Sequence, residues 1–307
     1  MQKRLLFLLA FLMTAISSAM AQVTTSSMSG TVVAEGEEII GATVDVVHTP
    51  SGTHYRAVTN EKGVYTINGM RVGGPYQVTV KCIGFSDKTV GGINLQLGET
   101  YNLKTNLSES VKEMQEVTVS AKGSKFSYEQ TGASTNISNE QMLAMPTVSR
   151  SVTDFTRLSP YGGNGMTFQG SDGRTANFTV DGANFNNNFG LSSSLPGGGN
   201  PISMEAIEEL QVVISPFDVR QTGFIGGALN AITKSGTNTF RGQAYIYHQN
   251  ENMRGDAVES EFISGSRDKD RTTTYGFSLG GPIIKNKLFF FVNGELVKSP
   301  GTGTSWR

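Results

Sequence analysis

Residues 226–250, "GGALNAITKSGTNTFRGQAYIYHQN", begin as a glycine-rich apolar segment and end as a strict alternation of residue types. On an extended strand, Phe240, Gly242, Ala244 and Ile246 fall on one face, while Arg241, Gln243, Tyr245 and Tyr247 fall on the other. All the charge is on one side. A strand that crosses a bilayer as part of a barrel needs this pattern over about 9–11 residues, apolar toward lipid and polar toward the lumen. The change of grammar therefore marks the place where a globular unit ends and the wall of a membrane barrel begins.

The next residues repeat the signal. After the hydrophilic stretch "QNENMRGDAVESEFISGSRDKDR", the run "TTTYGFSLGGPII" sets Tyr275, Phe277 and Leu279 against Thr274, Gly276 and Ser278. Only Lys285 and Asn286 separate it from "KLFFFVNGELVK". In that third run Phe289, Phe290 and Phe291 put rings on both faces, although Asn293 and Glu295 still mark one side as polar. A long loop at one end and a tight turn at the other is the asymmetry of outer-membrane barrels.

Working outward to the N-terminus, Lys3 and Arg4 precede the apolar run from Leu5 to Ile16, and Ala19-Met20-Ala21 supplies the small residues a signal peptidase accepts. The run is too short for the roughly 20 residues of a spanning helix. Residues 1–21 are thus read as a cleaved signal peptide, with Gln22 as the new N-terminus and no cysteine placed for a lipid anchor. Cleavage removes two positive charges and moves the formal balance from −1 to −3, so a nucleic-acid partner is not indicated. The single cysteine, Cys82, cannot form an internal disulfide and reads as a small buried hydrophobe. With 37 glycines and short Val, Thr, Tyr and Phe runs broken by Gly, Asn and Pro, the mature chain is expected to be mainly β.

Residues 22–108 show period-two runs, "SGTVV", "GATVDVVH", "YRAVT", "GVYTI" and "YQVTVKC", with weaker ones at "INLQL" and "YNLKTNL". Strands this short and evenly spaced predict a small antiparallel sandwich, with turns at "TNEKGVY", where Asn60 and Gly63 tolerate positive φ, and at "VGGPY". Residues 109–124 form a polar linker around the extended piece "EVTVSA". A lone strand of that kind can be captured by main-chain addition to a sheet edge; equally it can be a tether or the first strand of the next domain. Residues 125–238 are mixed. Ser138 with Gln141 is a capping-box pair opening "NEQMLAM", Val152, Phe155 and Leu158 share a helical stripe, "ANFTVDGANF" reads as a strand running into an Asp181-Gly182 turn, and Ser203 caps a short helix that places Glu205 at its positive end before the strand "ELQVVIS".

Several chemistries are set aside on residue grounds. Of the three histidines, His48 and His54 flank a Pro-Ser-Gly turn and read as solvated turn residues; no His lies at ligand spacing from a Glu. "GGALNAITKSG" lacks the glycine before Lys234 that a phosphate loop needs, and neither a dinucleotide fingerprint nor a nucleophile elbow is present. No catalytic residue, metal or cofactor is expected.

The run "SGTVV...GATVDV...TNEKGVYTI...GPYQVTVKCIGF" resembles the carboxypeptidase regulatory-like domain, a transthyretin-like sandwich that implies an accessory, non-catalytic role. The order "EVTVSA", "MLAMPTVSRSVTDFTRLSP", "NFTVDG", "MEAIEELQVVISPFDVRQTGFIGGALNAITKSGTN" and "GGPIIKNKLFFFVNGE" resembles a TonB-dependent outer-membrane receptor over essentially the whole mature chain, with "PFDVRQ" and "ITKSGTNTFRGQAYIY" nearest the Oar-like branch. The resemblance implies that Glu116, Val117, Thr118, Val119, Ser120 and Ala121 stand where the TonB box docks on the energising protein of the inner membrane. It also implies a plug over residues 125–238, the first barrel strands over 239–307, and plug-loop contacts to an extracellular ligand by Phe185, Asn186 and Phe189. Where receptors for iron chelates usually carry Arg-Gly before a proline, this chain has Ile214 and Ser215, a departure from siderophore import.

The combined expectation is a transthyretin-like β-sandwich, then an α+β plug, then the start of an incomplete outer-membrane β-barrel. A 22-stranded plugged transporter needs on the order of 220 residues in strands, so the sequence is expected to be the N-terminal part of a larger receptor. The expected partners are TonB, an extracellular ligand and outer-membrane lipid. The alternative is a secreted or surface β-domain protein for adhesion or carbohydrate binding.

Overall fold

The computed structural model describes residues 23–109, 117–120, 133–147, 150–186, 195, 200–214, 216, 221–253, 257–258, 261–262 and 271–299. The expected signal peptide lies outside them, and no helix among the described residues is long and apolar enough to cross a membrane. The chain divides into two compact units, Met1–Lys234 and Ser235–Arg307.

The first unit opens with two sheets packed face to face. One is built on β1 (Ser26–Ala34), which pairs antiparallel with β2 (Glu37–Glu38). The other contains β3 (Thr43–His48) and β4 (Thr53–Val58), and β5 (Val64–Met70) returns to β1. β6 (Gly73–Lys81) and β7 (Lys88–Leu95) extend the second sheet from β3, while β8 (Thr100–Asn102) and β9 (Thr105–Leu107) line β1 in parallel. The sandwich is therefore not wholly antiparallel: two short late strands run alongside β1. Alternate residues of β1 are buried, and Met28, Val32, Val44, Val46, Tyr76 and Val78 meet between the sheets as period-two burial requires. Gly30 of β1 is fixed by close approach, since a Cβ there would collide with the Leu103 carbonyl oxygen. In the "TNEKGVY" turn, Gly63 has φ 65°, whereas Asn60 works through its side chain, accepting from the amides of Lys62 and Val64.

β10 (Val117–Ser120) joins the second sheet as an edge strand, parallel to β7, giving the order β10-β7-β6-β3-β4.

A third sheet has the order β11-β14-β15-β12-β13, from β11 (Ala133–Ser138), β12 (Asn177–Val180), β13 (Ala183–Asn184), β14 (Ile207–Ile214) and β15 (Ala228–Thr233). Helix α1 (Asn139–Ala144) starts at the predicted Ser138/Gln141 capping box and stops before Pro146. The stripe of Val152, Phe155 and Leu158 forms a 3-10 helix, Val152–Leu158, where i and i+3 eclipse; Val152 and Phe155 enter the core and Leu158 does not. Asp181 and Gly182 both take positive φ in the β12–β13 turn, as the sequence suggests. β14 lies between β11 and β15, and its Leu210, Val212 and Ile214 pack with Met142, Phe155, Phe168 and Phe178.

Its other face meets the sandwich. The turn after β7 places Leu97 against β14, where its amide donates to Glu209 Oε1 at 2.9 Å and its carbonyl accepts from Gln211 Nε2 at 2.7 Å. Val23, Val72 and Leu97 pack there with Ile232 of β15. Both faces of β14 are covered, so the polar Glu209 and Gln211 are as buried as their apolar neighbours.

The second unit is one antiparallel sheet of β16 (Arg241–Gln249), β19 (Thr272–Ile284) and β20 (Leu288–Lys298), in the order β16-β19-β20. Between β16 and β19 lies a small hairpin of β17 (Ala257–Val258) and β18 (Glu261–Phe262). The β19–β20 connection is a tight turn in which Asn286 takes φ 63° and the Lys287 amide donates to the Ile284 carbonyl. Asn238 and Asn286 exchange two hydrogen bonds, at 2.7 and 2.8 Å, tying the approach to β16 to that turn.

Candidate functional site

The surface built by β16, β19 and β20 is set by its register. Ile246, Tyr275 and Leu296 stand in one cross-strand row, and Gly242, Leu279 and Val292 in another, with Ala244, Phe277 and Gly294 between them. Tyr275, Phe277, Leu279, Val292 and Leu296 are 43–56% exposed and Ile246 is 68% exposed, so this apolar face has no cover within its unit. The opposite face carries Gln243, Ser278 and Asn293 in one row and Tyr245, Gly276 and Glu295 in the next. There the Tyr245 hydroxyl donates to Glu295 at 2.8 Å across the intervening strand. The ring lies so close over Gly276 that a Cβ there would collide with it. A contiguous apolar surface of this kind in water is an association or membrane surface. The strands are 9, 13 and 11 residues long, matching a bilayer crossing. The ambiguous rings of β20 resolve by register: Phe290 shares the apolar face and packs with Phe240 at 6.2 Å, while Phe291 lies on the other face beside Gly280.

Of the expected docking strand, Val117, Thr118, Val119 and Ser120 have described backbone and pair with Lys88, Thr89, Val90 and Gly91 of β7; Glu116 and Ala121 lie outside the described residues. The partner that the sequence did not supply for this strand is thus the edge of the sandwich. Of the expected ligand contacts, Phe189 lies outside the described residues. Asn186 accepts the Phe178 amide on its Oδ1 at 2.6 Å and donates its own amide to Asn184, so its side chain extends the β12 ladder. Phe185 is 37% exposed and leans edge-on against Phe178, with 6.5 Å between ring centroids.

Two buried carboxylates in the first unit are shifted in opposite directions. Glu205 is fully buried; burial raises its pKa, but hydrogen bonds from Arg150 and Ser203 outweigh that, and the net shift is downward. Glu209 goes the other way, to about 8, through burial, with the Glu99 and Glu208 charges adding to it and the Leu97 amide opposing. One expectation is overturned: His48 is not a solvated turn residue. Its ring is buried 4.8 Å from the Tyr76 ring with Nδ1 2.6 Å from Ser51 Oγ, and burial followed by the Arg71 charge lowers its pKa to about 4. His54 is exposed beside Asp45, as expected, but on strand β4 and not in the turn. Cys82 packs half-buried against the sandwich core. Among the described residues no three or more His, Cys, Asp or Glu side chains gather where they could hold a metal ion.

Comparison with known proteins places two regions. Residues 27–108 match the carboxypeptidase regulatory-like domain family, and residues 232–306 match a family described as an outer membrane beta barrel domain. A curated relative, the TonB-dependent transporter Oar of Myxococcus xanthus, is 29% identical over 150 residues, which is 46% of this chain and 14% of that protein. The chain thus aligns with a small part of that relative's length. Among solved structures, the siderophore receptor PirA of Acinetobacter baumannii is similar with a TM-score of 0.41 at 22% identity, covering 54% of this chain and 24% of that one. The siderophore receptor PirA of Pseudomonas aeruginosa gives 0.39 at 23% identity, covering 56% and 28%.

Proposed function

We propose, from the premise that the chain belongs to the TonB-dependent receptors of the outer membrane, that it binds an extracellular ligand and passes it inward when the inner-membrane energising protein TonB pulls on residues 116–121. The observation that carries this reading is the apolar ladder of β16, β19 and β20, exposed on one face and backed by a polar one. Residues 22–108 are the accessory sandwich, 109–124 the linker holding the docking strand, 125–238 the plug, and 239–307 the first strands of the barrel wall. The work is binding and force, with no bond cleaved.

The docking step is main-chain addition: Val117 to Ser120 offer strand hydrogen bonds to a partner edge, as they do to β7. Phe185 supplies the exposed ring available to ligand, and Phe189 belongs to the same loop; Asn186 contributes by holding that loop to β12. The ligand itself is set by surfaces beyond these.

The test is deletion of residues 116–121 in the native gene, followed by cell fractionation and by uptake measured with labelled panels of glycans, peptides and metal chelates. The protein should sediment with the outer membrane, surface binding should persist, and uptake should collapse. Unchanged uptake removes the coupling step. A protein free in the periplasm removes the membrane reading and leaves an exported β-domain binder.

A further inference from the structure

The seam between the sandwich and the five-stranded mixed sheet is built on one backbone residue. Leu97 gives its amide to Glu209 and its carbonyl to Gln211 and to Asn136 Nδ2, at 3.3 Å. Behind Gln211 the network continues inward: its Oε1 accepts from Asn230 Nδ2 at 3.4 Å, and Asn230 Oδ1 accepts from Thr179 Oγ1 at 2.7 Å. Four strands thus orient a polar socket for a single turn of the sandwich, with Val23, Val72, Leu97 and Ile232 sealing its side. Nothing in this arrangement depends on the transport reading.

Glu209 is the conditional member. It is 5% exposed, and the charges whose fields reach it, Glu99 on the sandwich turn and Glu208 on its own strand, are both negative. Ser138, which stands opposite Glu209 on β11, is neutral, as are Asn136, 3.5 Å from Glu99 Oε1, and Gln211 and Asn230. An ionised carboxylate in that position has lost its water and faces like charge, with the Leu97 amide donating to it. The neutral acid accepts the same amide hydrogen bond without those costs. If the seam opens, Glu209 returns to water and ionises at an ordinary carboxylate pH.

We propose that this seam is a protonation-gated latch: the sandwich stays docked on the mixed sheet while Glu209 carries its proton and is released as that proton is lost. Linkage gives the sign. The docked form binds one more proton than the open form between the ordinary value of 4.5 and the docked value of about 8. Docking is therefore strongest below that window, weakens by up to about tenfold per pH unit through it, and is flat above. Glu205, four residues earlier, is as buried but is shifted the other way, because Arg150 and Ser203 hydrogen-bond its charge, whereas Glu209 sets the Leu97 amide against burial.

The test places one spin label on Cys82 of the sandwich and a second on an Ala144→Cys variant at the exposed end of α1, in the full chain held in detergent. Distances are recorded from pH 5 to pH 9. A single distance at pH 5 should give way to a growing population of longer ones up to about pH 8, reversing when the pH is lowered again. Glu209→Gln, which keeps the acceptor for the Leu97 amide, should hold the single distance throughout. Glu99→Gln, which removes one like charge, should leave more of the docked form at pH 8. A distribution that does not respond to pH, or a pH response that persists in Glu209→Gln, overturns the latch. Far-ultraviolet circular dichroism separates release from unfolding in every sample.

Discussion

Glu205 and Glu209 show how little a residue type decides by itself. Both are buried, both lie in the segment "MEAIEELQVV", and the sequence assigns them a helix end and a strand. Glu205 has Arg150 and the Ser203 hydroxyl, so its charge is the stable form; Glu209 has a backbone amide and two acidic neighbours, so its proton is. The spacing that brings Arg150 to Glu205 is 55 residues, and a reading of local pattern has no access to it. The lowered pKa of Glu205 means that its contribution is present above 4.5 and is lost as pH falls through the folded value. Glu205→Ala should destabilise this unit by about 3 kcal/mol, because a partly buried Arg150 loses a charged partner. Urea unfolding monitored at pH 7 checks the size. Repeating it at decreasing pH checks the sign, since the gap between wild type and variant should narrow toward acid.

At the scale of elements, what the sequence states clearly is what local chemistry controls. β19 runs over the thirteen residues whose alternation marks it, and α1 sits where Ser138, Gln141 and Pro146 put it. The 3-10 form of Val152–Leu158 is less visible, because an i, i+3 stripe serves both helix types. In β20 three adjacent phenylalanines hide the face, and only pairing with β19 assigns them. Register also explains the glycines: Gly276 leaves room for the Tyr245 ring to reach Glu295, so Gly276→Ala should break that bond and weaken the sheet of β16, β19 and β20. The two faces make a sharper prediction. Phe277→Arg on the apolar face should cost about 2–4 kcal/mol of folding free energy into lipid if it lies near the midplane, whereas Ser278→Arg, one residue on, should cost far less. Equilibrium folding into phosphatidylcholine vesicles, followed by tryptophan emission and heat-modified gel mobility, measures both. Equal penalties would mean that neither face meets lipid.

At the scale of the molecule, the sequence shows the pieces and conceals their joints. The sandwich, linker and mixed sheet each announce themselves by period and turn chemistry, but Leu97 meets β14 across 112 and 114 residues of chain, and β10 finds β7 through pairing that any extended run could make. The second joint bears on the proposed function. β10 is an edge strand, paired to β7 on one side and open on the other, so a partner strand can add to it in place, but a pull that carries β10 away must first break its ladder with β7. Thr118 pairs with Thr89, which gives a way to hold it there. In a Cys82→Ser background, Thr118→Cys with Thr89→Cys should form a disulfide under oxidising conditions, since directly paired strand positions lie within its reach. Cells carrying the oxidised pair should keep the protein in the outer membrane and keep surface binding, yet lose uptake, and a membrane-permeant reductant should restore it. Either single cysteine should behave as the parent. If the cross-linked protein transports at the parental rate, β10 is not the strand that is pulled, and the coupling segment must be sought elsewhere along residues 109–132.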